Sequence, residues 1–281
     1  MLTPIPTDIV SLYNIRGQMN KVILLRSPGI DSFVSKKFLD YLNENDNNIE
    51  YMEVFVNFIE TEQRFVTTVF RDEFKSTIKF DYPFVNRNER KLDKNMYMPN
   101  RNLIIGASAV ALARNFYFNA DTLLFSGILD DNVFDNNKEF YSKLDSIMND
   151  GVYPNIHTTS LLSNLSKVDI VRLYKTLLSR ELHENPLDIA TKTYSCFSPI
   201  LSSYTNDNNV KVWGCRQCSA CLRKLAALNS NEIVFIPFGS LETIEDYLVE
   251  HQEQFNKPEL KYKKESITNY YEENKKYYSN I

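Results

Sequence analysis

Lys21-Val22-Ile23-Leu24-Leu25-Arg26-Ser27-Pro28-Gly29-Ile30-Asp31-Ser32 is the stretch on which the fold turns. Its first five residues form a short apolar run bounded by polar residues, the pattern of a buried parallel strand. Phe33 to Asn43 follows with helical spacing, and Phe33, Phe38, Leu39 and Leu42 are its apolar positions. The order is strand, small-residue turn, helix. Such a turn offers backbone N–H groups and a helix N-terminus to an anion. Ser27 and Ser32 add hydroxyl donors, and Asp31 suits a Mg²⁺ that bridges phosphates. The same residues also suit an ordinary helix start, with Ser27 or Asp31 as N-cap and Pro28 near the first turn. Walker A is excluded, because no Gly-Lys-Ser/Thr follows.

Downstream, strands and helices alternate. Tyr51 to Phe58 reads as a second strand, Thr61 to Phe74 as a helix and Ser76 to Phe80 as a third strand. A polar loop ends in Pro99-Asn100-Arg101-Asn102, and a helix is predicted over Leu103 to Asn119. Thr122 to Ser126 is a fourth strand, opening into Gly127-Ile-Leu-Asp130-Asp131. Lys138 to Met148 is helical, Asn155 to Thr159 a fifth strand, and Ser166-Lys167 opens a helix over Val168 to Leu178. This alternation predicts an α/β domain on a parallel sheet, where ligands bind at the carboxyl ends of strands. Asp31 and Asp130/Asp131 fall at such ends. Taken singly, each carboxylate reads first as a helix cap or a solvated loop residue. Lys167 is either a surface lysine or a cation reaching a phosphate or carboxylate.

Cys196, Cys215, Cys218 and Cys221 are all four cysteines of the 281-residue chain, in the pattern C-x18-C-x2-C-x2-C. Four thiolates at this spacing suit one tetrahedral zinc ion, which ties two segments together. Three cysteines so crowded do not favour two disulfides. Beyond Ile233 to Pro237, an amphipathic helix is expected over Leu241 to Phe255. The tail from Lys257 is charged and tyrosine-rich, and reads as an arm for a partner or as disordered. The expected division is residues 1–190 as a nucleotide-binding α/β domain, 191–240 as a zinc segment, and 241–281 as a helix and charged tail.

Composition bounds the function. With 43% hydrophobic residues the chain can build a sizeable core. A net charge of −4 argues against a general nucleic-acid-binding surface. No apolar run reaches the length of a membrane span, and the first residues show no signal-peptide pattern. With reduced cysteines, this predicts a cytoplasmic protein.

Together these motifs resemble a known family. Ser27-Pro28-Gly29-Ile30-Asp31-Ser32 is similar to the PP-loop of the adenylating ATP pyrophosphatases, usually Ser-Gly-Gly-x-Asp-Ser. Adding Pro99-Asn100-Arg101-Asn102, Gly127-x-x-x-Asp131, Ser166-Lys167 and the cysteines through Cys221-Leu222-Arg223, the chain resembles the QueC family of 7-cyano-7-deazaguanine synthases over roughly residues 20–230. The resemblance implies a doubly wound, adenine nucleotide alpha hydrolase-like domain with a C-terminal zinc segment. It implies an ATP-dependent carbon–nitrogen ligase acting on 7-carboxy-7-deazaguanine and ammonia, with no direct contact to nucleic acid or membrane, as a homodimer. Arg26, Ser27, Gly29, Asp31 and Ser32 are then expected at ATP, with Asp31 near magnesium and Lys167 as charge stabiliser. Arg101, Asn102, Asp131 and Asp135 are expected at the substrate, and Arg223 near a ligating sulfur. Two other readings keep the fold: adenylation of a deazaguanine carboxylate for transfer to another amine, and a non-catalytic zinc-stabilised nucleotide-binding protein.

The chain departs from the family pattern at Pro28, which replaces the first loop glycine and removes an N–H donor. Arg26, just before it, is a candidate for replacement charge. Val56-Asn57-Phe58-Ile59 lacks the usual Tyr-Gly, and Val133-Phe134-Asp135-Asn136 only loosely follows Tyr-Pro-Asp-Cys.

Overall fold

The computed structural model describes residues 21–46, 49–58, 65–81, 100–126, 136–149, 156–162, 165–196, 202–206, 208–257 and 260–280. The chain divides into two compact units, Met1–Ser27 with Ser35–Asn164, and Pro28–Val34 with Leu165–Ile281.

The first unit holds a five-stranded parallel sheet in the order β3-β2-β1-β4-β5. The strands are β1 Lys21–Leu25, β2 Glu50–Asn57, β3 Ile78–Asp81, β4 Thr122–Phe125 and β5 His157–Ser160. β1 is central. Ile23 is in register with Met52 on one side and Leu123 on the other. Its continuous apolar run follows from this position, since both faces of a central parallel strand are covered. Ile23, Leu25, Val54, Val56, Leu123 and Phe125 pack on one face with α2 (Arg101–Asn115) and α3 (Lys138–Asn149). Val22, Leu24, Phe55 and Leu124 alternate with them and are equally buried. Gly106 of α2 allows close approach: a Cβ there would stand 3.2 Å from Leu144 and 3.3 Å from Leu123.

The strand order places a reversal between β1 and β4. The chain builds outward from β1 to β3, then returns to the other side of β1. At the carboxyl ends of these two strands the Ser126 hydroxyl donates to the Leu25 carbonyl at 2.7 Å. Open α/β sheets bind ligands at such a point. α1 (Ile30–Asp46) follows the turn after β1.

The second unit is mainly helical. α4 (Lys167–Leu173) runs into a π-helical turn, Tyr174–Leu178, and α5 spans Asp188–Thr191. β6 (Ser203–Thr205) and β7 (Lys211–Trp213) form an antiparallel hairpin. α6 (Ser219–Ser230) is buried nearly all round, through Ala220, Leu222, Lys224, Leu225, Ala226 and Leu228. α7 (Leu241–Glu250) and α8 (Lys261–Ser279) complete the unit.

Several sequence expectations change here. The tail is neither a free arm nor disordered over Lys261–Ser279: α8 packs against α6 and α7, burying Ile267, Tyr270 and Asn274. The helix expected over Leu103 to Asn119 runs from Arg101 to Asn115. It ends there because Tyr117 adopts φ 57°, with Phe118 N–H donating to the Ala113 carbonyl and Tyr117 N–H to that of Arg114. That is a Schellman stop, with buried Phe118 closing it. The helix expected over Thr61 to Phe74 contains a π-helical turn at Phe65–Val69, followed by turns, and residues 61–64 lie outside the described residues. Within the second unit, α4 packs on α6. Asn231 fastens that contact, donating to the Val168 carbonyl at 3.0 Å while its own carbonyl accepts from Lys175 at 2.6 Å. Among the described residues, no helix is long and apolar enough to cross a membrane.

Candidate functional site

The turn after β1 is defined at both ends. Arg26 N–H donates to the Val54 carbonyl at 2.8 Å, the last ladder bond of β1. Phe33 N–H donates to the Gly29 carbonyl at 3.0 Å, the first bond of α1. Between them lie Ser27, Pro28, Gly29, Ile30, Asp31 and Ser32. The Pro28 carbonyl accepts the Tyr194 N–H at 2.6 Å.

Asp31 lies in the first turn of α1. One of its oxygens, Oδ2, accepts from Lys167 Nζ at 2.9 Å, and both side chains are about three-quarters buried. The other, Oδ1, is buried and has no hydrogen-bond partner. A buried carboxylate oxygen in that state is suited to a cation. Lys167 is held in place by a capping box. Ser166 Oγ accepts from the Asp169 N–H, and the Asp169 carboxylate accepts from the Ser166 N–H.

Arg26 points elsewhere. Its guanidinium is buried in the first unit, 2.8 Å from the Glu53 carboxylate and 4.6 Å from the Phe74 ring centre. Glu53 also accepts from the Thr77 hydroxyl at 3.0 Å. Burial lowers the Arg26 pKa, and Glu53 opposes the shift. The charge expected to help the loop is therefore neutralised inside the first unit. Arg101 is exposed at the start of α2, and its neighbour Asn102 is buried. Asp131 and Asp135 lie outside the described residues, as do Pro99 and Gly127. Arg223 Nε donates to the Ser219 carbonyl of its own helix at 3.3 Å.

The four cysteines converge in the second unit. Their sulfurs all lie within 4.8 Å of one another, with Cys215 to Cys221 at 3.9 Å and Cys218 to Cys196 at 4.0 Å. None is in a disulfide. A tetrahedron of metal–sulfur bonds of about 2.3 Å has edges of about 3.8 Å, so the set fits a single ion. Cys215 follows β7, Cys218 is the N-cap of α6, and Cys221 lies one turn in. Hydrogen bonding to Cys196 and Cys218, then burial, push the Cys221 thiol up. A coordinated divalent ion reverses that, because a ligating thiol is deprotonated.

The surroundings of the cluster contain residues that spacing alone does not reveal. Gly214 has φ +149°, and a Cβ there would stand 2.7 Å from the Cys221 sulfur. Arg216 has φ 57° and lies 3.5 Å over the Tyr204 ring, and its carbonyl accepts from Gly239 N–H. Lys224 is fully buried. Its Nζ donates to the Thr193 carbonyl at 2.6 Å and the Ala190 carbonyl at 3.3 Å. Burial pulls its pKa down to about 7, against an upward pull from Cys221. Gly214, directly before Cys215, is visible as a signal in the sequence. Lys224 carries no such signal, since it reads as one more helical lysine.

A parallel α/β sheet with a PP-loop turn after its central strand, followed by a tetracysteine segment, defines an ATP-using PP-loop enzyme. The sequence model for the family described as "Queuosine biosynthesis protein QueC" matches residues 23–232. The chain belongs to the QueC family. A search of curated proteins finds no match. A solved structure, the U34-tRNA thiolase NcsA from Methanococcus maripaludis with its [4Fe-4S] cluster, is 18% identical with a TM-score of 0.36. The likeness covers 62% of this chain and 63% of that chain.

Proposed function

We propose that this enzyme is a carbon–nitrogen ligase that converts 7-carboxy-7-deazaguanine, ammonia and ATP into 7-cyano-7-deazaguanine. Membership of the QueC family over residues 23–232 carries the reading. A carboxylate is a poor electrophile because its oxygen is a poor leaving group. Its attack on the α-phosphorus of ATP breaks the bond to pyrophosphate and makes an acyl adenylate. Ammonia then displaces AMP and loses a proton, giving the amide. The amide oxygen attacks a second ATP in the same way. The nitrogen gives up one of its two protons as the adenylate forms, and loss of the other with departure of AMP leaves the nitrile.

The protein's part is positioning and charge neutralisation. Ser27, Gly29, Asp31 and Ser32 are assigned to the pyrophosphate, with Asp31 Oδ1 on magnesium. Lys167 is assigned to charge developing on phosphate, and on this reading Asp31 holds its ammonium ready. Arg26, paired with Glu53 in the first unit, is left out of the ATP assignment. Arg101, Asn102, Asp131 and Asp135 are assigned to the substrate. The cysteines hold one zinc ion, whose contribution is to folding. This reading includes a cytoplasmic homodimer that takes a free base, not tRNA, and makes no membrane contact.

Mass spectrometry of purified protein with the carboxy compound, ATP and ammonium tests the reading. The nitrile and pyrophosphate are expected, and Asp31→Asn is expected to lower turnover about 10²–10³-fold. Absence of nucleotide turnover with the free base, or turnover only with tRNA, overturns it.

A further inference from the structure

We infer that Lys224 and Tyr194 are positioning residues that couple the tetracysteine centre to the turn carrying Pro28. All the groups involved belong to the second unit, which contains Pro28–Val34 as well as residues from Leu165 onward.

The coupling is a short run of backbone held at three successive points. Thr193 gives its carbonyl to Lys224 Nζ at 2.6 Å. Tyr194 gives its N–H to the Pro28 carbonyl at 2.6 Å. Cys196 gives its sulfur to the cysteine cluster, and also accepts from the Cys215 N–H at 3.3 Å. Tyr194 further forms a parallel bridge with Trp213, two residues before Cys215. One metal ion held by Cys196 and Cys215 would therefore fix both strands of this bridge at their downstream ends. Lys224 lies one helical turn beyond Cys221, so the same helix that supplies two ligands also supplies the ammonium.

Pro28 gives this contact a purpose. Proline has no N–H and a fixed φ, so its carbonyl is the only backbone group by which the residue can be held. Tyr194 N–H holds that carbonyl. The residues that follow, Gly29 to Ser32, begin α1 and carry Asp31. A shift of Thr193–Cys196 therefore displaces the entrance to α1. A buried lysine is costly unless its protons are used. Here two carbonyls use them, and Tyr194, the residue after one of those carbonyls, meets the turn. Among the described residues, the Lys224 ammonium donates to the Ala190 and Thr193 carbonyls, so it acts through Tyr194.

The inference concerns the turn's position, and only its catalytic meaning rests on the function proposed above. Hydrogen exchange over residues 27–34 reads that position without ATP. In Lys224→Met, with metal content confirmed by elemental analysis, exchange of these amides is expected to rise about tenfold. Chelating the metal from the wild-type protein is expected to do the same, and it supplies the answer if the variant does not fold. Leu144→Ala, a core change in the first unit, is expected to leave these amides unchanged. Unchanged exchange over residues 27–34 after metal removal, or in a folded, metal-loaded Lys224→Met, overturns the coupling. Titration of the wild-type protein with MgATP is read separately. Absence of binding there overturns the phosphate assignment and leaves the exchange result intact.

Discussion

Arg26 in the first unit and Lys224 in the second are buried cations of opposite character. Arg26 faces a carboxylate, Glu53, which in turn binds Thr77. Its charge is cancelled locally, and its guanidinium lies over the Phe74 ring. Lys224 faces two backbone carbonyls at the end of α5 and, more distantly, the cysteines. The first cation is met by carboxylates of its own unit, Glu53 nearest, with Glu73 and Asp40 further off. The second spends its protons on a segment that leads to Cys196 on one side and meets Pro28 on the other. A buried ion pair can be exchanged for apolar packing, whereas a buried ion that organises backbone cannot be removed without freeing that backbone.

Four measurements break or sharpen this contrast. Cys221→Ser should have the largest effect. It should reduce bound metal well below one ion per chain and unfold much of the second unit, because metal binding to such a site is folding free energy of about 10 kcal/mol or more in small domains. Elemental analysis with circular dichroism reads it, and full metal retention would contradict a four-thiolate site. Next comes Glu53→Ala, which removes the carboxylate 2.8 Å from the buried Arg26 and should cost about 3–5 kcal/mol by denaturant unfolding. Adding Arg26→Met should recover most of that loss, and failure to recover it would show that the Arg26 charge is needed for more than the pair.

A smaller loss, about 1–3 kcal/mol, is expected for Asn274→Ala. Asn274 is fully buried on α8 and accepts from the Phe238 N–H at 2.6 Å, next to the segment whose Pro237 carbonyl accepts from Arg216. Metal retention should weaken with it, since Arg216 lies between Cys215 and Cys218. Tyr117→Gly should be the smallest effect and of opposite sign. Tyr117 is 93% exposed at φ 57°, so glycine removes αL strain at little packing cost, for a gain of about 0.5–1 kcal/mol. An unchanged melting curve would place the Schellman stop's stability in Phe118 alone.

Much of the first unit was legible because its signals are local. The apolar run Val22 to Leu25 announces a buried parallel strand, and the turn and helix after it follow in order. The end of the helix at Asn115 is not visible in the sequence, because Ala and Leu spacing says nothing of the αL residue beyond it. The hairpin β6–β7 leaves no period in the sequence, its strands being three residues long. The polar composition of the tail hides a buried stripe of Ile267, Tyr270 and Asn274.

By itself the sequence determined the strand–turn–helix core and the set of four cysteines, since period and spacing are properties of neighbouring residues. It also carried the family, through motifs whose order survives without coordinates. Only the tertiary structure decided what each charge meets. Asp31 and Lys167 are 136 residues apart, Lys224 and Thr193 are 31 apart, and Arg26 finds Glu53 on the adjacent strand. A side chain's partner depends on which distant segments packing brings beside it. Periodicity names the buried face of a helix, but not the carbonyl or carboxylate waiting there.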